Sequence, residues 1–169
     1  MPRTTPRRAN PRGKNNVATT PQTNTSLEAI AEILRGVESV AVCGHVSPDG
    51  DCLGSQLVVY HALENLGKNV TCLLAKSDPV EAGLRFLPGI DSMVPAAEFS
   101  GTPEAFVAVD VPTVERIGDA AAAVQAKCPI TVTVDHHASD TAMSAYTYVD
   151  PDAAATTMLV WKLAELLGA

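Results

Sequence analysis

The chain has 169 residues, 46% of them hydrophobic and only 4% aromatic, which is enough for one moderate core but not for two. Five of its 12 basic residues (Arg3, Arg7, Arg8, Arg12 and Lys14) crowd an acid-free leader, so beyond residue 25 seven basic side chains face 19 acidic ones, a formal charge of −12. Such a surface repels nucleic-acid phosphates and excludes a domain that grips polyanions with its own basic face; phosphate chemistry here must recruit positive charge, and bound divalent cations are the local source.

Residues 1–25 are rich in Pro, Asn and Thr, cannot bury enough apolar surface to order themselves, and read as a disordered basic tail. This leader has neither the apolar core of a secretory signal nor the amphipathic face of a transit peptide. No run in the chain reaches the roughly 18 apolar residues of a membrane helix, so a soluble protein with no membrane partner is expected.

A helix is predicted over 26–34 and a buried strand over 37–43. Leu53, Leu57, Tyr60 and Leu63 then recur at helical spacing, and Gly67 ends that helix. Strands follow over 70–75, 105–111 and 130–134, with helices over 113–126 and 153–167. Strands alternating with helices indicate an α/β fold with a parallel sheet whose strands are continuous apolar runs because helices cover both faces. Cys43, Cys52, Cys72 and Cys128 form no C-x-x-C pair and fall mostly in apolar runs, which suggests buried free thiols and a cytoplasmic protein.

In parallel sheets ligands bind beyond the carboxyl ends of the strands. Here the apolar run ending at Gly44 is followed by His45 and Ser47-Pro48-Asp49-Gly50-Asp51, the run ending at Val109 by Asp110, and the run ending at Val134 by Asp135-His136-His137. Two cations a few ångströms apart need several oxygen and imidazole ligands and a shared carboxylate. His45 and Asp49 suit one ion, Asp51 and His136 the other, and Asp110 is the natural bridge. Asp135 is expected behind His136 as the carboxylate that orients its ring, leaving His137 to contact a phosphate oxygen or to protonate the leaving group. Gly54 and Ser55 are expected in the opening turn of the next helix, where free N–H groups favour a substrate phosphate.

Each piece also has a plain reading. Ser-Pro-Asp-Gly-Asp makes a turn with a helix cap, Asp110 can cap the following helix, and Asp-His-His can be a surface loop, although two histidines and an acid after a buried strand are costly to place without partners. Cys52 could be a soft ligand, but its carboxylate neighbours suit harder ions, so it is read as structural. His61, on the amphipathic helix, is read as a solvated or packed side chain, and Arg116 as a solvent-facing residue that could also meet a substrate phosphate.

Taken together, Gly44-His45-Val46-Ser47-Pro48-Asp49-Gly50-Asp51-Cys52-Leu53-Gly54-Ser55, Val109-Asp110-Val111-Pro112 and Val134-Asp135-His136-His137 make the sequence resemble the DHH phosphoesterases, a RecJ-like family named for its Asp-His-His motif. Residues 110–118 and Tyr148-Val149-Asp150-Pro151, followed by Ala154-Ala155-Thr156-Thr157, look most like the branch of oligoribonucleases and 3'-phosphoadenosine 5'-phosphate phosphatases. The resemblance implies two divalent cations, manganese above all with magnesium or cobalt as alternatives, and hydrolysis of short oligoribonucleotides or of that nucleotide. Pyrophosphatases, exopolyphosphatases and cyclic-dinucleotide phosphodiesterases belong to the same family. Its members carry a further Asp and a basic, glycine-rich C-terminal substrate domain beyond the helix that here reaches Ala169. Residues 26–169 are therefore expected to be a DHH domain incomplete at its C-terminus, with the substrate domain absent. A homodimer stays open, as does a nucleotide- or metal-binding module without turnover, and a third reading makes the basic tail a nucleic-acid-binding arm.

Overall fold

The computed structural model describes residues 22–139 and 142–169. Six strands form one parallel sheet: β1 (Ser39–Cys43), β2 (Asn69–Leu74), β3 (Val94–Pro95), β4 (Ala105–Val109), β5 (Ile130–Asp135) and β6 (Tyr146–Val149), in the order β3-β2-β1-β4-β5-β6. The order reverses direction between β1 and β4, so the mouth of the sheet opens where the chain from β1 leaves one way and the chain from β4 the other.

Alternation along the strands divides the core. Val40, Val42, Val107, Val109, Val132 and Val134 face helices α1 (Leu27–Arg35), α2 (Gly50–Asn65) and α4 (Thr156–Leu167), through Ile30, Leu34, Leu53, Leu63, Leu159 and Leu163. Ala41, Cys43, Phe106 and Ala108 face the opposite side, where α3 (Gly118–Gln125) brings Ala121 and Val124 and the preceding turn brings Ile117. Both faces are covered, as the apolar runs require.

Local signals set the helix ends. Ser26 Oγ accepts from Ala29 N at 3.2 Å and caps α1. Asp49 Oδ1 accepts from Cys52 N at 3.0 Å and caps α2, so the plain reading of this Asp as a cap holds beside its place in the site. Gly67, at φ 76°, lies just past the end of α2, as its position in the sequence predicts.

Three expectations change. The helix predicted over 113–126 is a 3-10 turn, Val114–Ile117, followed by the shorter α3, because Gly118, where α3 opens, sits at φ 75°. Strands β3 and β6 escape the sequence pattern; β3 has two residues, and β6 is a four-residue edge strand between polar segments. The tail ends earlier than residue 25. Thr23 Oγ1 donates to Val149 O (2.9 Å) and accepts from Val149 N (3.0 Å), while Asn24 N donates to Thr147 O (3.0 Å) and Asn24 Oδ1 accepts from Thr147 N (2.9 Å). These two residues cover the open edge of β6. The rest of the expected tail, residues 1–21, lies outside the described residues. Among the described residues no helix is long and apolar enough to cross a membrane.

Candidate metal centre

The carboxyl ends of β1, β4 and β5 carry the three motifs to one place. His45 follows β1 by two residues, and its backbone N–H points at the Cys52 thiol, 3.3 Å away. Gly44 makes this approach possible: a Cβ there would lie 2.2 Å from Cys52 Sγ. Asp110 follows β4 directly and has φ 56°, the one non-glycine residue with positive φ among the described residues. Its N–H donates to Val134 O at 3.1 Å, so the pairing with β5 runs to the last residue before the chain turns, and the turn leaves the carboxylate on the rim. Such a conformation persists only where the surroundings impose it, and it tends to mark functional positions.

Around Asp110 the donor atoms form two groups. Asp110 Oδ2 lies 3.6 Å from His45 Nε2, which is 3.9 Å from Asp49 Oδ1. Asp110 Oδ1 lies 3.6 Å from His136 Nε2, which is 3.7 Å from Asp51 Oδ2, and 3.7 Å from His137 Nδ1. The structure thus gathers His45, Asp49, Asp51, Asp110 and His136, the five residues the sequence assigns to cations. Asp110 is almost fully buried, His45 buried and His136 half-buried.

The donor set is of a kind that holds divalent cations. Neighbouring ligands on one ion at bonds near 2.1 Å stand roughly 3–4 Å apart; His45 has that spacing to Asp49 and Asp110, and His136 to Asp51 and Asp110, with one oxygen of Asp110 turned to each histidine. Imidazole and carboxylate together suit manganese, zinc or similar ions. Among the described residues, Asp49, Asp51, Asp110 and Asp135 also converge with no Lys or Arg paired to any of them.

Supporting contacts correct two expectations. Asp135, fully buried, accepts from His137 Nδ1 at 2.8 Å; it meets His136 only through that residue's backbone N–H, also at 2.8 Å. The ring of His136 is instead held by Ala153 O, 3.2 Å from its Nδ1, which leaves Nε2 facing Asp110. Burial pushes the Asp135 carboxyl up, against the pull of the His137 hydrogen bond. Gly54 and Ser55 lie in the second turn of α2, because the helix begins at Gly50, and their N–H groups belong to its ladder. Ser55 is fully buried, with its hydroxyl 3.3 Å from Thr157 Oγ1, so neither residue offers free N–H groups to a phosphate. Arg116 is exposed in the turn before α3; its carbonyl accepts from Val46 N at 2.8 Å, which places it beside the His45 loop, with no partner for its guanidinium among the described residues.

Sequence reasoning met the threonines of α4 only as part of the family resemblance and missed their role. Thr156 N and Thr157 N donate to Asp51 Oδ2 and Oδ1 at 2.8 Å each, the Thr157 hydroxyl also donates to Asp51, and Thr156 Oγ1 donates to Asp110 Oδ1 at 2.9 Å. Ala155 provides no side-chain cap for α4, and Asp51 takes that role from a distance of about a hundred residues in sequence. Burial raises the Asp51 carboxyl, but the hydrogen bonds from Thr157 and Thr156 together outweigh it and leave the group below its ordinary range. The signal in the sequence was Ala155-Thr156-Thr157 opening an apolar helix without its own cap. Cys52 remains a thiol behind the site: it is fully buried, its Sγ is within reach of the His45 and Asp110 donors, and burial pushes its pKa up to about 12. All four cysteines are buried and free, as the sequence suggests.

The chain is similar to several known proteins. The bifunctional oligoribonuclease and PAP phosphatase NrnA of Thermus thermophilus is 32% identical over 146 residues, covering 84% of this chain and 41% of that protein. The chain therefore spans about two-fifths of that relative's length. Two solved structures share the fold: an exopolyphosphatase-related protein from Bacteroides fragilis (TM-score 0.73, 22% identity, 84% of this chain and 43% of that one) and RecJ in complex with Mn2+ from Thermus thermophilus (TM-score 0.53, 17% identity, 90% and 22%). The N-terminal domain of the DHH family matches residues 39–168, a span that holds all three rim motifs. With that match over most of its length, the chain belongs to the DHH family.

Proposed function

We propose that this chain is the cation-binding part of a metal-dependent phosphoesterase that hydrolyses short oligoribonucleotides or 3'-phosphoadenosine 5'-phosphate. The observation that carries the reading is the placement of Asp110, whose two carboxylate oxygens face separate donor groups 3.6 Å away on either side. The relative described as an oligoribonuclease and PAP phosphatase, similar over most of this chain, supports the choice of substrate.

His45, Asp49 and Asp110 would hold one cation and Asp51, Asp110 and His136 the other; bound there, divalent ions supply the positive charge that a phosphate needs and lower the pKa of an attacking water. The chain's own residues then divide the remaining work. Ala153 O and the neighbouring Asp110 fix the face that His136 presents. Asp135 holds His137 through Nδ1 and so turns Nε2 outward, where it would hand a proton to the departing alkoxide. His137 is about half exposed at its side chain, which leaves that nitrogen open to substrate. Arg116, beside the His45 loop, is available to a substrate phosphate, and the strongly acidic remainder of the domain makes such a cation valuable.

The test is turnover by the purified chain with manganese on a two- to five-residue oligoribonucleotide and on 3'-phosphoadenosine 5'-phosphate. Product release that disappears in Asp110→Ala supports the reading. Nucleotide binding with no turnover under any cation supports instead a binding module, and rejects it for this chain. Activity on pyrophosphate or polyphosphate alone would redirect the substrate assignment.

A further inference from the structure

Beside the cation rim lies a cavity of about 380 Å³, walled by residues 46–48 of the His45 loop and by residues of the 74–81 segment that leaves β2. It shares its wall with the catalytic loop, since residues 46–48 stand between His45 and Asp49. Its other side is fixed by contacts that are hard to move: Gly118, at φ 75°, sits so close that a Cβ would lie 3.0 Å from Ala75 O and 3.3 Å from the Val46 side chain. Arg85 Nε donates to Val80 O at 2.8 Å and ties the segment that closes the cavity.

The chemistry of the lining selects among ligands. Pro48, Pro79, Val80 and Leu74 give aliphatic walls, while Lys76, Asp78 and Glu81 bring one positive and two negative charges. A net negative, half-apolar pocket disfavours a phosphate and suits a flat, uncharged group with hydrogen-bonding edges. Nucleobases are such groups: they are held between apolar side chains, Asp and Glu accept from their amino groups, and Lys donates to their ring acceptors. A volume of this order is at the small end of the range for ligand sites. Lys76 has no hydrogen bond or ion pair among the described residues, and its ammonium is thus available to a ligand.

The geometry points to this cavity as a nucleoside subsite, which takes the base and sugar next to the phosphate that lies over Asp110. The inference rests on the phosphoesterase reading for which phosphate it serves, but not for whether a nucleoside binds. It deepens that reading by assigning nucleoside recognition to the loop after β2 rather than to the cation ligands.

Binding is measured by amide NMR on the isotopically labelled full chain in EDTA, so that the outcome does not depend on cations or turnover. The probes are adenosine, cytidine, ribose 5-phosphate and inorganic phosphate. Saturable shifts at Ser47, Lys76, Asp78 and Glu81 with a nucleoside but not with the two phosphates are expected. Val80→Trp, which fills the cavity, and Asp78→Asn, an exposed change that leaves packing intact, should each weaken nucleoside binding at least fivefold. Equal shifts with inorganic phosphate or ribose 5-phosphate would overturn the assignment in favour of an anion site. So would the absence of saturable shifts at millimolar nucleoside, or unchanged affinity in Asp78→Asn. Failure of manganese-dependent turnover with intact nucleoside shifts would sink the catalytic reading and leave the subsite standing.

Discussion

Replacing Asp110 with glycine separates what the fold needs from what the cations need. A left-handed backbone costs a non-glycine residue about 1–2 kcal/mol, and Asp110 at φ 56° bears some of that cost, which glycine removes. Against this, glycine gives back about 0.5–1 kcal/mol through the greater freedom of the unfolded chain. The lost hydrogen bond from Thr156 Oγ1 costs about 1 kcal/mol more. Removing one of four clustered carboxylates relieves repulsion in the cation-free protein and works in the opposite direction. The terms nearly cancel, so in EDTA Asp110→Gly should unfold within about 1 kcal/mol of the parent, a Tm difference of about 2–4 °C for a domain of this size. Manganese changes the comparison. At a hundred times its dissociation constant a cation adds about 2.7 kcal/mol to the parent, or about 5–11 °C, and should add little to the variant. Calorimetry of both proteins in EDTA and in manganese measures each difference. The reasoning fails if Asp110→Gly loses more than about 3 kcal/mol in EDTA, well beyond the summed terms, because the carboxylate would then be holding the fold. It fails equally if manganese raises both proteins alike.

Asp51 has a structural duty besides its place near His136, and Asp51→Ala should cost about 1–2 kcal/mol in EDTA through the lost cap on α4, read from urea unfolding. Because its folded carboxyl lies below the ordinary range, this contribution is present at neutral pH, above the unfolded pKa, and lost as pH falls through the folded value. The parent and Asp51→Ala should therefore converge in stability under acid. Gly118→Ala places a side chain at φ 75° and 3.0 Å from Ala75 O, and should lose about 1–3 kcal/mol with an unchanged denaturant slope. Burial pushes the thiols of Cys43, Cys52 and Cys72 up, so they should resist iodoacetamide at pH 8 in the native chain and label fully in guanidinium, as mass spectrometry can count.

The site was legible because its residues stand where an apolar run stops. His45, Asp110 and Asp135 to His137 each follow a short valine-containing run, and a parallel sheet brings the ends of such runs to one rim. The four central strands carried that signal because both their faces are buried. The edges did not: β6 is short, and the residues that cover it, Thr23 and Asn24, have the same polar character as the tail before them. The sequence also could not say which contact each polar residue makes. Asp135 was expected on the ring of His136 and lies on that of His137, while Nδ1 of His136 is taken by Ala153 O. Gly54 and Ser55 were placed one turn too early because Gly50, usually a turn residue, begins α2. The long-range cap from Asp51 to α4 joins residues that no local pattern connects.

The shared role of Asp110 is most directly tested by anomalous diffraction from crystals of the chain soaked in manganese. Two peaks are expected, one within bonding distance of His45, Asp49 and Asp110 and one of Asp51, Asp110 and His136, with a different oxygen of Asp110 bound to each. Manganese density that avoids Asp110, or a single ion with both of its oxygens, would contradict the two-cation centre.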